Sequence, residues 1–376
     1  MKQNLKPVRE QVVVITGASS GIGRETALHF GERGATIVPI ARSRDALDSL
    51  EQEIERIGGR AHAIVADVSE WEQVKRAADE TAERFGHIDT WVNNAAISLY
   101  ATVADATVEE IRRMIDVILM GQIHGMKAAL PHLERQGRGA IINVASALAK
   151  RSVPLQAAYC AAKHGIKGFT ESLRMELEHE NSAISITLVL PSSINTPLFE
   201  HARSKMGVMP QPLPPVYEPR VVAEAIVFAA EHPRREITVG GAGKALTVLE
   251  RISPKLADAY MLWGGSAFKQ QKTSQADDGR DNLFEPMQGT GRTTGQFGRK
   301  SKSVSSYTRT LEQHPKRKRL LVLGAAAGVG LLFAAIGAAL TDSSKRDHHE
   351  RTTHPRRQER PSSGRAGNRS VPLAER

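Results

Sequence analysis

Over its first 240 residues the chain sets seven short runs of branched aliphatic residues apart with stretches of helical length. The runs are VVVIT (12–16), ATIVPIA (35–41), AHAIVADV (61–68), IDTWVNNAA (88–96), GAIINVAS (139–146), ISITLVLPS (184–192) and REITVG (235–240). Most are continuously apolar rather than alternating, which predicts strands buried on both faces. The segments between them, such as DALDSLEQEIERIGG and WEQVKRAADETAERFG, are amphipathic and stop at glycine, which predicts helices. A long helix is predicted over 108–133, another from Tyr159 to Glu178, and a last one over 219–230. Buried strands joined by helices must pair in parallel through right-handed crossovers. The predicted fold class is therefore α/β, a doubly wound parallel sheet forming a single domain over 1–268, with ligands beyond the C-terminal strand ends.

Composition changes after Phe268. Residues 269–319 are rich in Gln, Ser, Thr, Gly and Arg without apolar periodicity, which predicts a disordered basic linker. LLVLGAAAGVGLLFAAIGAAL (320–340) carries no charge and matches the length of a transmembrane helix. The segment 341–376 is predicted to be a disordered basic tail. Residues 274–376 hold 19 Lys and Arg against 10 Asp and Glu, leaving 32 against 31 for the front of the chain. The net charge of +10 is thus a property of the C-terminal extension, and no nucleic-acid partner is expected of the front domain. The single cysteine, Cys160, excludes an intramolecular disulfide. The N-terminus has no long apolar run before the first strand, so a secretory signal is not expected. His124, His164, His348 and His349 show no metal-ligand spacing.

Two motifs carry chemistry. TGASSGIG (16–23) lies between the first strand and the first helix, where glycines permit a tight turn and bring backbone N–H groups to a phosphate. AYCAAKHG (158–165) places Tyr159 and Lys163 at i and i+4, on one helix face, where an ammonium beside a phenol alters its acidity. Together with Asp67 in ADV, NNAA at 93–96, Ser146 in NVAS, and the stretch from Pro191 to Thr196, these motifs stand in the order found in the short-chain dehydrogenase/reductase family. The chain resembles that family, in its form of about 250 residues, over residues 8–245.

The resemblance implies a Rossmann-like fold and hydride transfer between a nicotinamide and a carbonyl or secondary alcohol. It implies Ser146, Tyr159 and Lys163 as catalytic residues. Tyr159 would donate and accept the proton, Ser146 would hold the substrate oxygen, and Lys163 would hold the nicotinamide ribose and lower the tyrosine pKa. The implied cofactor-binding residues are Thr16, Gly17, Ser19, Ser20, Gly21, Ile22, Gly23, Arg42, Asp67, Val68, Asn94, Ala95, Tyr159, Lys163, Pro191 and Thr196. A homodimer or homotetramer is implied through the two long central helices.

The second strand ends in Ala41, where NAD-preferring members carry an acidic residue, and Arg42 and Arg44 follow. A missing carboxylate and an added guanidinium predict NADP(H) over NAD(H), with Arg24 in a position to assist. Ile118 stands where the family has an asparagine that supports a proton relay, and an isoleucine side chain forms no hydrogen bond. Two readings follow. The first is an NADP(H)-dependent oxidoreductase tethered through 320–340 as a single-pass membrane protein, its catalytic domain facing the cytoplasm where NADPH is the reagent, acting on a small and plausibly lipophilic carbonyl or alcohol. The alternative is a membrane-tethered NADP(H) sensor or scaffold with little turnover.

Overall fold

Branched side chains crowd an α-helix but pack well on a pleated surface, and the first such run, Val12–Thr16 (β1), is buried throughout. The computed structural model describes residues 5–263, 266–289 and 291–314. Thr36–Ala41 (β2), Thr90–Asn93 (β5), Gly139–Val144 (β6) and Ile184–Pro191 (β7) are also buried at every position. Two short strands, Arg60–Ala61 (β3) and Ile64–Val65 (β4), flank β2. The last strand is Glu236–Val239 (β8). The order is β8-β7-β6-β5-β1-β2-β3, with β4 also paired to β2, and every pairing is parallel. This is the doubly wound sheet expected from the sequence. The chain reverses direction across the sheet between β1 and β5, which is where a crevice opens.

The helices are Gly21–Gly31 (α1), Arg44–Arg56 (α2), Trp71–Phe85 (α3), Val108–Ile115 (α4), Gly121–Gln136 (α5), Ala157–His179 (α6), Pro219–Glu231 (α7), Gly241–Ile252 (α8) and Pro254–Leu262 (α9). α4 begins with a capping box in which Thr107 and Glu110 satisfy each other's backbone N–H groups. One core cluster joins α3, α5 and α6 to one face of the sheet, and a second joins α1 and α7 to the other.

Three expectations need correction. The predicted strand 61–68 forms only as two short strands, β3 and β4, each paired in parallel with β2: the His62 N–H makes the last β3 bond, to the Ile37 carbonyl, and pairing resumes at Ile64. The predicted helix 108–133 is interrupted by a π-helical turn, Asp116–Met120, between α4 and α5. Such turns insert one residue without disturbing the apolar stripe on either side. The linker expected to be disordered from residue 269 is instead built into the fold over its described part: Lys272–Ala276 pairs antiparallel with Val208–Pro210, and the compact unit continues past 268 through residue 314. The apolar run 320–340 and the basic tail 341–376 lie outside the described residues. Among the described residues no helix is long and apolar enough to cross a membrane.

Candidate active site

A cavity of about 490 Å³ runs along the C-terminal ends of the strands. It starts at the turn after β1. Gly17 has φ +68° and its α-carbon lies so close to Ala95 that a Cβ would sit 2.6 Å from the Ala95 Cα. Only glycine fits both the left-handed conformation and that approach. No side chain caps α1 at Ser20, a helix start of the kind that can hold an anion, and the Gly21 N–H there donates to the Arg292 carbonyl at 2.9 Å. Gly17, Ser19, Ser20, Gly21 and Ile22 line the cavity there, facing Pro191 and Thr196 on the opposite rim.

Two residues assigned to the nucleotide lie behind this wall. Thr16 is buried, and its hydroxyl accepts hydrogen bonds from the Asn94 and Ala95 N–H groups at 3.0 and 3.3 Å. Gly23 packs against the Gly17 carbonyl and the Asn94 amide. Asn94 donates to the carbonyls of Thr16 and Gly17 at 3.1 and 3.2 Å. Thr16, Gly23 and the Asn94 amide therefore shape the turn, although Asn94 and Ala95 also reach the cavity surface.

Next along the cavity are Ala41, Arg42, Asp67 and Val68. Burial alone would raise the Asp67 carboxyl, but hydrogen bonds from Arg113, at 2.7 Å, and from Ser69 hold it below the ordinary aspartate range. Arg24 does not join Arg42. It is buried against α2, donating to the Ala46 carbonyl, Ser49 and Glu53. The expectation that it assists with a phosphate fails because its guanidinium is committed to that helix.

At the far side of β1, Ser146, Tyr159 and Lys163 meet on the same cavity wall. Ser146 follows β6 and its hydroxyl accepts the Leu148 N–H at 3.1 Å while hydrogen bonding the Tyr159 phenol. Tyr159 and Lys163 are one turn apart on α6, with the Lys163 Nζ 5.5 Å from the phenol ring centroid. Burial lowers Lys163 to about 7, and its Nζ donates to the Val144 carbonyl at 2.9 Å. Burial pushes the Tyr159 phenol well above the ordinary tyrosine value, against the pull of the Ser146 hydrogen bond. Burial, which removes the phenolate from water, is thus the largest influence on the Tyr159 phenol in this arrangement.

Ile118 is fully buried in the apolar cluster formed by α3, α5, α6 and the sheet. One turn later, buried Gln122 donates its amide N–H to the Val144 carbonyl at 2.9 Å, the same oxygen that holds Lys163. Its Oε1 is buried without a hydrogen-bond partner among the described residues. No sequence motif marks Gln122; only its position one turn after Ile118 could have drawn attention to it.

The cavity then opens beyond Tyr159 into a space lined by Leu148, Val153, Leu213, Leu246, Met261 and Trp263, with Tyr100, Gln156 and Gln271 as polar points. Tyr100 is wholly buried, which raises its phenol strongly, and it hydrogen bonds Ser98 and Gln156. Gln156 donates to Gln271 at 2.9 Å. Gln271 escaped the sequence reading because it lies in the segment read as linker. The described residues contain no cluster of His, Cys, Asp or Glu suited to a metal ion.

Residues 11–207 match the family described as short chain dehydrogenase. An uncharacterized oxidoreductase, YxnA, of Bacillus subtilis is 44% identical over 262 residues, which is 69% of this chain and 74% of that protein. An alcohol dehydrogenase from the archaeon Thermococcus sibiricus, solved in complex with 5-hydroxy-NADP, shares 26% identity at a TM-score of 0.54, covering 61% of this chain and 95% of that one. A short chain dehydrogenase/reductase from Burkholderia phymatum, solved with NAD, shares the fold at 24% identity and a TM-score of 0.62, covering 67% of this chain and 96% of that one.

Proposed function

Because the chain belongs to the short-chain dehydrogenase family, we propose that it is an oxidoreductase that transfers hydride between NADP(H) and a carbonyl or secondary-alcohol carbon of a lipophilic substrate. The observation that carries this reading is a single cavity that begins at the glycine turn of α1 and reaches Ser146, Tyr159 and Lys163. The uncapped start of α1 suits a pyrophosphate, and Gly17, Ser19, Gly21, Ile22 and Thr196 would hold it. The nicotinamide, when bound, supplies or accepts the hydride.

The rest falls to the chain's own side chains. Ser146 holds the substrate oxygen and the Tyr159 hydroxyl in one hydrogen-bonded group. Tyr159 delivers a proton to that oxygen in reduction and removes it in oxidation. The raised phenol makes Tyr159 a proton holder until a positive charge or a donor to its oxygen arrives. Lys163, titrating near neutrality, supplies that charge on demand. NADP(H) is favoured by the absence of a carboxylate at Ala41 and the presence of Arg42 at the cavity wall. The apolar far end supports a lipophilic substrate, as does the apolar run 320–340, which would tether the chain to a membrane with this domain on the cytoplasmic side. Exposed Met120, Phe169 and Met175 on the outer faces of the central helices suit a homodimer or homotetramer.

The test follows NADPH absorbance against a panel of lipophilic aldehydes and ketones with wild type, Ser146→Ala and Tyr159→Phe. Turnover in wild type with losses of about 10²-fold or more in both variants is expected. Equal rates in all three proteins would remove the proposed mechanism.

A further inference from the structure

The segment that follows Lys272–Ala276 returns to the mouth of the nucleotide crevice and is stitched to both rims. On one rim the Asn282 N–H donates to the His201 carbonyl at 3.0 Å, and Asp281 pairs with Arg203 at 2.8 Å. On the other, Arg42 donates one terminal nitrogen to the Phe284 carbonyl and the other to the Asn282 carbonyl, both at 2.7 Å. Arg113 donates to the Leu283 carbonyl at 3.0 Å while holding Asp67. Leu283 is fully buried in the cluster that contains Ala66, Val68 and Val117. Further on, the Gly21 N–H at the start of α1 donates to the Arg292 carbonyl at 2.9 Å. Gly291 lies against the Ser19 carbonyl so closely that any Cβ would overlap it. Gln296 and Phe297 then return to the first rim, donating their N–H groups to Glu200 and Asn195 at 3.0 Å.

We propose that residues 281–289 and 291–297 are an internal ligand of the nucleotide crevice, a strap that competes with the 2′-phosphate of NADPH for Arg42 and so determines how strongly the site distinguishes NADPH from NADH. The inference rests on the nucleotide reading given above. A guanidinium grips a phosphate through the fork formed by its two terminal nitrogens. Here each prong already donates to a strap carbonyl, and the Glu285 carboxylate adds a negative charge facing Arg42. Carbonyl oxygens at these positions exclude phosphate oxygens from the same fork. Binding of a 2′-phosphate therefore requires withdrawal of 282–285. NADH lacks that group and has no need of Arg42. The Gly21 N–H, by contrast, concerns the pyrophosphate common to both nucleotides. A closed strap lowers the competent fraction for both, and lowers it further for NADPH. Asn282 lines the cavity, with its Oδ1 buried and without a hydrogen-bond partner among the described residues.

The experiment uses the full-length chain and two substitutions outside the proposed nucleotide contacts. Gly291→Val forces the strap off Ser19, and Leu283→Asp places a carboxylate in an apolar pocket. Calorimetric titration with NADPH and with NADH, without substrate, gives the ratio of the two dissociation constants. Release of the strap is expected to tighten NADPH tenfold or more in both variants and NADH by less, so the ratio shifts toward NADPH. Trypsin is expected to cut wild type at Arg280 and Arg292 faster with NADPH than with NADH. If Leu283→Asp fails to fold, Gly291→Val, which alters a surface contact, still decides the matter. An unchanged or reversed ratio, or protection of Arg292 by NADPH, overturns the strap as a competitor while leaving the redox reading intact. Failure of every protein to bind either nucleotide overturns both.

Discussion

At the acid end of the crevice, Ser146, Tyr159 and Lys163 are fixed by neighbours close in sequence: the end of β6 and one turn of α6, with the Val144 carbonyl holding Lys163 19 positions away. At the phosphate end, Arg42 is held by a segment 242 positions downstream. The acid end thus depends on local helix geometry and burial, while the phosphate end depends on whether a distant segment is docked. On the proposed reading, proton transfer sits on the half set by local geometry, and nucleotide selection on the half that the distant segment covers.

Four substitutions break or sharpen this comparison. Lys163→Met acts on the half set by local geometry and has the largest expected effect. In the folded chain Lys163 titrates near 7, against about 10.4 when unfolded. Between these values the unfolded chain binds more protons, so stability rises with pH. Relative to Lys163→Met, the nucleotide-free wild type should gain about 3 kcal/mol from pH 7 to pH 10, with no further dependence from this group below about 6. Denaturant titrations of both proteins at four pH values measure it. Arg42→Ala acts on the other half. It should weaken NADPH binding by about 10- to 100-fold, as loss of charge-assisted hydrogen bonds does, and leave NADH unchanged or tighter, since NADH has no need of the guanidinium and the strap is loosened. It should also speed proteolysis across the strap, which loses its anchor.

Ile118→Asn tests whether the missing family asparagine can be restored. It buries an amide among apolar side chains and should cost about 1–3 kcal/mol, read from the denaturation midpoint. A neutral or stabilising result would mean that polar groups surround the site after all. Gln122→Leu should have the smallest effect. It leaves the Val144 carbonyl wholly to Lys163, which favours the ammonium, so the Lys163 limb of the pH–rate profile should move up by less than about one unit. A downward shift would show that the Gln122 amide itself supports the charge.

Much of the fold could be read from the chain because its strands are buried on both faces, as VVVIT and ISITLVLP record without ambiguity. Ser146, Tyr159 and Lys163 were legible for a related reason: their spacing is set by one strand end and one helix, and spacing is what a sequence displays. The π turn at 116–120 was not, since one inserted residue leaves the apolar pattern intact on both sides. Nor was the strap. It is held mainly by backbone carbonyls of Asn282, Leu283, Phe284 and Arg292, and every residue carries a carbonyl. Its polar composition resembles that of an unfolded segment because its few apolar anchors, Leu283 and Phe297 among them, are isolated. The raised Tyr159 phenol was likewise hidden, because it comes from burial, which the motif does not display.

A crystal structure of the full chain grown with NADPH tests the central claim most directly. It should show the pyrophosphate at the start of α1 between Gly21 and Thr196, and the reactive nicotinamide carbon on the same cavity wall as the Ser146 and Tyr159 hydroxyls, within about 4 Å of where a carbonyl held by them would lie. A nucleotide bound outside this crevice, or one whose nicotinamide end points away from Tyr159, would contradict it.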